Sequence, residues 1–226
     1  MANSISLYDL FDQTQWREKW QTIGNHVNYD TQIINNTLII FFQGSNEKID
    51  WVRNFAFKKK PYKHMDVSWK AHSGFVRAWK ECDDIIGTIV GEFVARCLDK
   101  GASPNVLISG YSHGGALAML CHEYIWFNWP ILRNHLETYA FEAPRVMGHY
   151  KVPKEVQDRW KNFYLVRNGK DIVTHLPPRI FGFCHAGWYE IYTNYHIGIF
   201  KDHMQQHVKE GIQSCEFLRD YKIELQ

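Results

Sequence analysis

Uninterrupted apolar runs alternate along this chain with stretches whose apolar residues recur every third or fourth position. The run Asn36-Thr37-Leu38-Ile39-Ile40-Phe41-Phe42 reads as a strand covered on both faces, because a half-exposed strand would alternate with polar residues. Residues 105–110, 136–141, 162–166 and 188–192 read as further strands. From 74 to 99, Phe75, Trp79, Cys82, Ile86, Ile89, Phe93 and Cys97 share one helical face, and Lys80, Asp83, Asp84, Glu92 and Arg96 occupy the other. This predicts one helix stopped near Gly101. Other helices are predicted around 11–20, directly after Gly115, and over 203–218. The alternation predicts an α/β fold, a mostly parallel sheet with helices on both faces, in one domain over 1–226. Ligands of such sheets bind at the carboxyl ends of the strands.

Composition narrows the functional classes. With 26 Lys+Arg against 24 Asp+Glu, the net charge of +2 supplies no field for nucleic acid. The five cysteines are odd in number and form no CxxC pair, which argues against a disulfide framework and a cysteine-rich zinc site. No basic start leads into an apolar run, and no apolar stretch reaches the roughly 18 residues of a membrane span. The default expectation is therefore a soluble, cytoplasmic chain without a signal peptide or transmembrane segment.

One turn carries chemistry. Gly110-Tyr111-Ser112-His113-Gly114 matches G-x-S-x-G. The pentapeptide alone is weak, since average Gly and Ser usage makes a chance match in such a chain roughly a one-in-ten event. Its setting, an apolar strand before and an amphipathic helix after, is what a nucleophile elbow requires. Ser112 then sits at a helix N-terminus, whose partial positive charge favours a developing oxyanion. Serine needs a base, and the base needs an orienting carboxylate, in the order Ser, acid, His for this fold. Asp171 follows a strand and fits the acid, and Asp158, in a charged segment before that strand, is a weaker rival. His175, His185, His196, His203 and His207 all follow Asp171, and spacing does not choose among them.

Six ordered blocks resemble the class 3, fungal-type triacylglycerol lipases of the α/β-hydrolase fold. They are the strand ending Gln43-Gly44-Ser45, Asp50-Trp51-Val52-Arg53-Asn54, His72-Ser73-Gly74-Phe75, the elbow with Gly115, Phe141-Glu142-Ala143-Pro144-Arg145-Val146, and the segment from Asn168 to Pro178. Gln43 stands where the family usually has Arg, and Glu142 where it often has Gly. The resemblance implies Ser112 as nucleophile, Asp171 as acid and, through Asp202-His203-Met204, His203 as base. It implies an oxyanion hole from Ser45 and the N–H of His113, with His185 in a noncatalytic block.

The implied activity is carboxylic-ester hydrolysis of acylglycerols, with phospholipase A1, short-chain esterase and a silent lipase-like binding protein as alternatives. It needs no cofactor. The pair His203 and His207 lacks the glutamate of H-E-x-x-H, so no metal is expected. The implied partner is a lipid or small ester. Trp51, Val52, Phe55, Ala56 and Phe57 beside Lys58-Lys59-Lys60 suggest a lid helix that touches a lipid interface transiently. An ordinary packed helix with a solvated basic end is the competing reading.

Overall fold

A computed structural model of the chain describes residues 4–15, 17, 19–24, 27–44, 57–64, 67–187 and 189–226. The elements follow in order: β1 (Ser4–Ser6), α1 (Leu7–Gln13), β2 (Gln21–Ile23), β3 (Val27–Ile34), β4 (Thr37–Phe42), β5 (Lys59–His64) and β6 (Val67–His72). Then come α2 (Ser73–Trp79), α3 (Asp83–Asp99), β7 (Asn105–Tyr111), α4 (His113–Asn128), β8 (Leu136–Phe141) and β9 (Phe163–Asn168). The chain closes with β10 (Tyr189–Thr193), α5 (Gln205–Ser214), α6 (Glu216–Arg219) and β11 (Lys222–Glu224).

The main sheet has seven strands in the order β10-β9-β8-β7-β4-β3-β2. Neighbours from β4 through β10 run parallel, while β2 and β3 add an antiparallel edge. Every residue of β4 is buried, as its continuous apolar run requires. One face packs on α2, α3 and α4 through residues such as Trp79, Ile86, Phe93 and Leu117. The other packs on α1, α5 and α6 through Leu10, Phe11, Val208, Ile212 and Leu218. Each fully buried large apolar side chain contributes about 1.5–3 kcal/mol.

Three predicted helices differ in extent. The first starts earlier, at Leu7, because Ser6 caps it by accepting the Asp9 N–H at 3.0 Å, and it ends at Gln13. The predicted helix over 74–99 is two helices, broken at Lys80–Cys82, where the Cys82 thiol bonds the Trp79 carbonyl at 3.3 Å. Asp83 and Asp84 then open α3, where acidic side chains complement the helix dipole. The last predicted helix begins two residues later, at Gln205, and is interrupted at Cys215.

The β5–β6 hairpin was not legible as strands, and it changes the picture of the basic run. Lys59 and Lys60 pair with His72 and Ala71 in that hairpin, rather than ending a helix. The Lys59 ammonium lies 4.9 Å from the centre of the Phe183 ring. Phe57 stacks on Phe181 at 4.8 Å. The other lid residues, Trp51, Val52, Phe55 and Ala56, lie outside the described residues, as does Ser45.

Candidate active site

The sheet delivers the candidate residues to one rim. Ser112 follows β7, Glu142 follows β8, and Asp171 comes three residues after β9. His203 lies in the turn between β10 and α5. Parallel pairing puts all these strand ends on the same side.

The turn at Ser112 is very tight. The serine has φ 55° and ψ −118°, a positive φ that a residue with a Cβ rarely adopts. A Cβ at position 110 would stand 2.2 Å from the Gly114 carbonyl oxygen, and one at 114 would stand 2.3 Å from that of Phe42. Both collisions are with backbone, so glycine is required at each position. The Ser112 N–H is held by the Phe141 carbonyl at 2.8 Å.

Ser112 Oγ is 2.9 Å from His203 Nε2, and His203 Nδ1 is 2.7 Å from Asp171 Oδ2. The other Asp171 oxygen accepts the Val173 N–H at 2.8 Å. Ser112 and Asp171 are buried, and the His203 side chain is largely so. His113 opens α4, at the end where the N–H groups of the first turn point outward. Its ring packs 5.6 Å from that of Phe75. Donors at this point are placed to meet charge that grows on the carbonyl oxygen of an acyl group attacked by Ser112 Oγ.

The rival histidines bond groups other than Ser112 Oγ and the Asp171 carboxylate. His196 Nδ1 bonds Asp202, His185 Nε2 bonds the Thr174 carbonyl at 2.8 Å, and His207 Nδ1 bonds Glu210 at 2.9 Å. His175 Nδ1 contacts the Asp171 carbonyl at 2.9 Å, and its Nε2 faces Arg167 at 3.2 Å. Burial lowers the His185 pKa to about 3, with Arg145, Arg167 and His175 adding to the effect. Asp158 is an exposed residue paired with Lys161 at 2.9 Å.

Several residues that hold this geometry carried no assigned role in the sequence. The Tyr111 hydroxyl donates to the His203 carbonyl, and its ring stacks on the imidazole at 5.2 Å. Arg145 donates to the Pro177 carbonyl at 3.0 Å and ties down the loop that follows Asp171. Asp202, beside the base, accepts N–H groups from Lys170 at 2.7 Å, Ile197 at 2.8 Å and Gly198 at 3.0 Å. The only signal for these residues was their place inside or beside the blocks that resemble the lipase family, because their partners are far along the chain.

Burial works to raise the Asp202 pKa, but those N–H groups and His196 outweigh it and hold the carboxyl at about 2, below its ordinary 3.8. A group depressed on folding adds stability above its unfolded pKa and loses it as pH falls through the folded value. Asp202 therefore stabilises the His203 turn above about pH 4, and this is lost on descending to about pH 2. Asp202→Asn is expected to flatten that part of the pH dependence of urea unfolding. An unchanged slope would show that the turn does not rely on this charge.

Glu142, Asp171 and His203 are the one set of three possible metal ligands among the described residues, with atoms within 4.8 Å of one another. Both ring nitrogens of His203 are already bonded, to Ser112 and Asp171, so the imidazole has no nitrogen to offer a cation in this arrangement.

A parallel sheet crossed by helices on both faces, with a serine on a strained strand-to-helix turn, defines the α/β-hydrolase fold. The family model described as "Lipase (class 3)" matches residues 39–181, and the chain belongs to that family. A lipase of Rhizomucor miehei is 33% identical over 155 residues, which is 67% of this chain and 40% of that protein. The "Secreted mono- and diacylglycerol lipase 1" of Fusarium solani is 28% identical over 152 residues, 66% of this chain and 42% of that protein. A solved triacylglycerol lipase, described as having a serine protease triad as its catalytic centre, superposes with a TM-score of 0.64. It is 28% identical, and the likeness covers 77% of this chain and 65% of that one. The chain thus spans about two fifths of the length of the curated relatives it matches.

The cytoplasmic default is corrected by these relatives, since the Fusarium protein is by name secreted. A leader is removed and contributes nothing to the core, so the pattern of a folded body carries no record of compartment. Among the described residues, no helix is long and apolar enough to cross a membrane.

Proposed function

We propose that the protein is a serine carboxylic-ester hydrolase that cleaves acylglycerols through an acyl-enzyme on Ser112. The observation that carries this reading is the continuous line from Ser112 Oγ through His203 to Asp171, at 2.9 and 2.7 Å, on a strained elbow. His203 Nε2 takes the hydroxyl proton as Ser112 Oγ attacks the ester carbonyl. The oxyanion is held by the N–H of His113, with Ser45 as the second donor that the family resemblance implies, and Asp171 stabilises the imidazolium. Collapse expels the alcohol, which receives the proton from His203. Water then repeats the sequence on the acyl-enzyme, releasing the acid and restoring the serine.

A lipid ester, rather than a small water-soluble one, is favoured by the surface around the base. Ile197, Ile199, Phe200 and Met204 expose much of their apolar area on the segment that carries His203. Ile180 and Phe181 do so after the Asp171 loop. Such a patch favours contact with an apolar aggregate.

The test is a rate series over glycerol esters of increasing acyl length, each below and above its solubility limit, alongside fluorophosphonate labelling. Rates rising with acyl length, and rising again when substrate forms an interface, are expected. Fastest turnover of acetyl esters with smooth saturation would indicate a short-chain esterase. Preference for the sn-1 ester of phospholipids would indicate phospholipase A1. Absence of labelling would leave a binding protein.

A further inference from the structure

The carboxyl of Glu142 has no accessible surface, and neither of its oxygens accepts a hydrogen bond of good geometry. It stands one residue beyond β8 with φ 50°, a backbone conformation costly for a side chain of this kind, with its N–H held by the Val166 carbonyl at 2.8 Å. A Glu142 oxygen, an Asp171 oxygen and a His203 nitrogen lie within 4.8 Å of one another. The reaction as derived above gives Glu142 no part.

A buried carboxylate poorly supplied with donors is strongly disfavoured, and two carboxylates in one site do not both ionise. Asp171 is the carboxyl supplied with well-placed donors, the Val173 N–H at 2.8 Å and the His203 ring at 2.7 Å. Glu142 is then the neutral partner, and a neutral carboxyl is a donor. Each Asp171 oxygen has a second lone pair available for it.

We propose that Glu142 is a positioning residue, a neutral carboxylic acid that donates a hydrogen bond to Asp171 and thereby orients the carboxylate that holds His203. This rests on the acyl-enzyme reading of the site. The charged and titratable groups facing Glu142 are consistent with it. Tyr111 on β7 is a buried neutral phenol, Asp171 and His203 are hydrogen-bonded to each other, and Arg167 on β9 directs its guanidinium to Glu190 and His175. Burial raises the Glu142 pKa well above the usual range, and Asp171 raises it further. The Asn168 backbone and Arg167 oppose this without overcoming it.

The neutral donor draws charge from Asp171, so the imidazolium is stabilised less than it would be by a bare carboxylate. Glu142→Gln keeps a donor, whereas Glu142→Met keeps the length and loses it. The Gln variant is expected to keep kcat within about threefold of wild type, with the acid limb of its pH–rate profile unmoved. The Met variant is expected to lose roughly tenfold in kcat with little change in KM, and its acid limb should move upward by about half a pH unit or more. Infrared difference spectra of the resting protein at neutral pH should show a carboxylic-acid C=O stretch that Glu142→Gln removes.

Absence of that band in wild type, or equal losses in the Gln and Met variants, would overturn the inference. So would a Met variant with unchanged kcat and profile. The infrared band and the Gln variant decide the matter even if the Met variant does not fold. A wild-type protein that neither cleaves esters nor reacts with a fluorophosphonate would instead overturn the acyl-enzyme reading. The infrared band would still report the protonation state of Glu142.

Discussion

Ser112→Ala is expected to lower kcat by about 10³-fold or more while the fold persists. In the proposed reaction the hydroxyl oxygen is the atom that bonds to the acyl carbon, and it is the one that His203 Nε2 meets at 2.9 Å. Without a nucleophile, only the oxyanion donors and substrate binding remain, worth roughly 10³–10⁴ over water. Stability should change little, because alanine keeps the Cβ and the strained φ of 55° and removes one partly buried hydrogen bond worth about 1 kcal/mol. Turnover of an acylglycerol and the urea midpoint measure the two effects separately. A variant retaining more than a tenth of wild-type kcat would remove Ser112 from the mechanism.

A loss of similar size is expected for His203→Ala, and for no other histidine after Asp171. The reason is geometric. Among the described residues His203 alone bridges Ser112 and the Asp171 carboxylate, while His196, His185 and His207 bond other groups and His175 meets only the Asp171 backbone carbonyl and its neighbours. Alanine variants at 175, 185, 196, 203 and 207 should be compared at one pH. Only His203→Ala should also stop reacting rapidly with a fluorophosphonate, because the serine is activated by that imidazole. The Ser112→Ala, His203→Ala double variant should be no slower than Ser112→Ala, since residues that act as a unit are not additive. Normal labelling of His203→Ala, with loss in His196→Ala, would move the base to His196.

Both results depend on features of very different visibility in the chain. The parallel strands were legible because each is a short continuous apolar run, and β4, β7 and β8 lie within a residue of where those runs end. The elbow was legible because its demand is local. Gly110 and Gly114 answer collisions within five residues, and with one neighbouring strand. The β5–β6 hairpin was not, since Lys59-Lys60-Pro61 offers no alternation to read, and its pairing with β6 is what makes it a strand. The break between α2 and α3 was hidden because the apolar spacing continues across Lys80–Cys82.

The sequence by itself therefore determined the layering, the sheet's central strands, the serine and its turn, because periodicity and steric crowding act over a few residues. It also narrowed the acid to Asp171, which must follow a strand. Which histidine completes the line was decided by tertiary structure alone, apart from what family resemblance implied. His203 is 91 residues from Ser112 and 32 from Asp171, and no local preference spans such distances. The same holds for Tyr111 beneath the imidazole, Asp202 gathering three N–H groups, and Glu142 buried beside Asp171. Each acts through a partner brought near only by the parallel sheet, whose strand ends converge on one rim. A side chain's protonation and orientation are set by what packs against it, and that is a property of the folded chain.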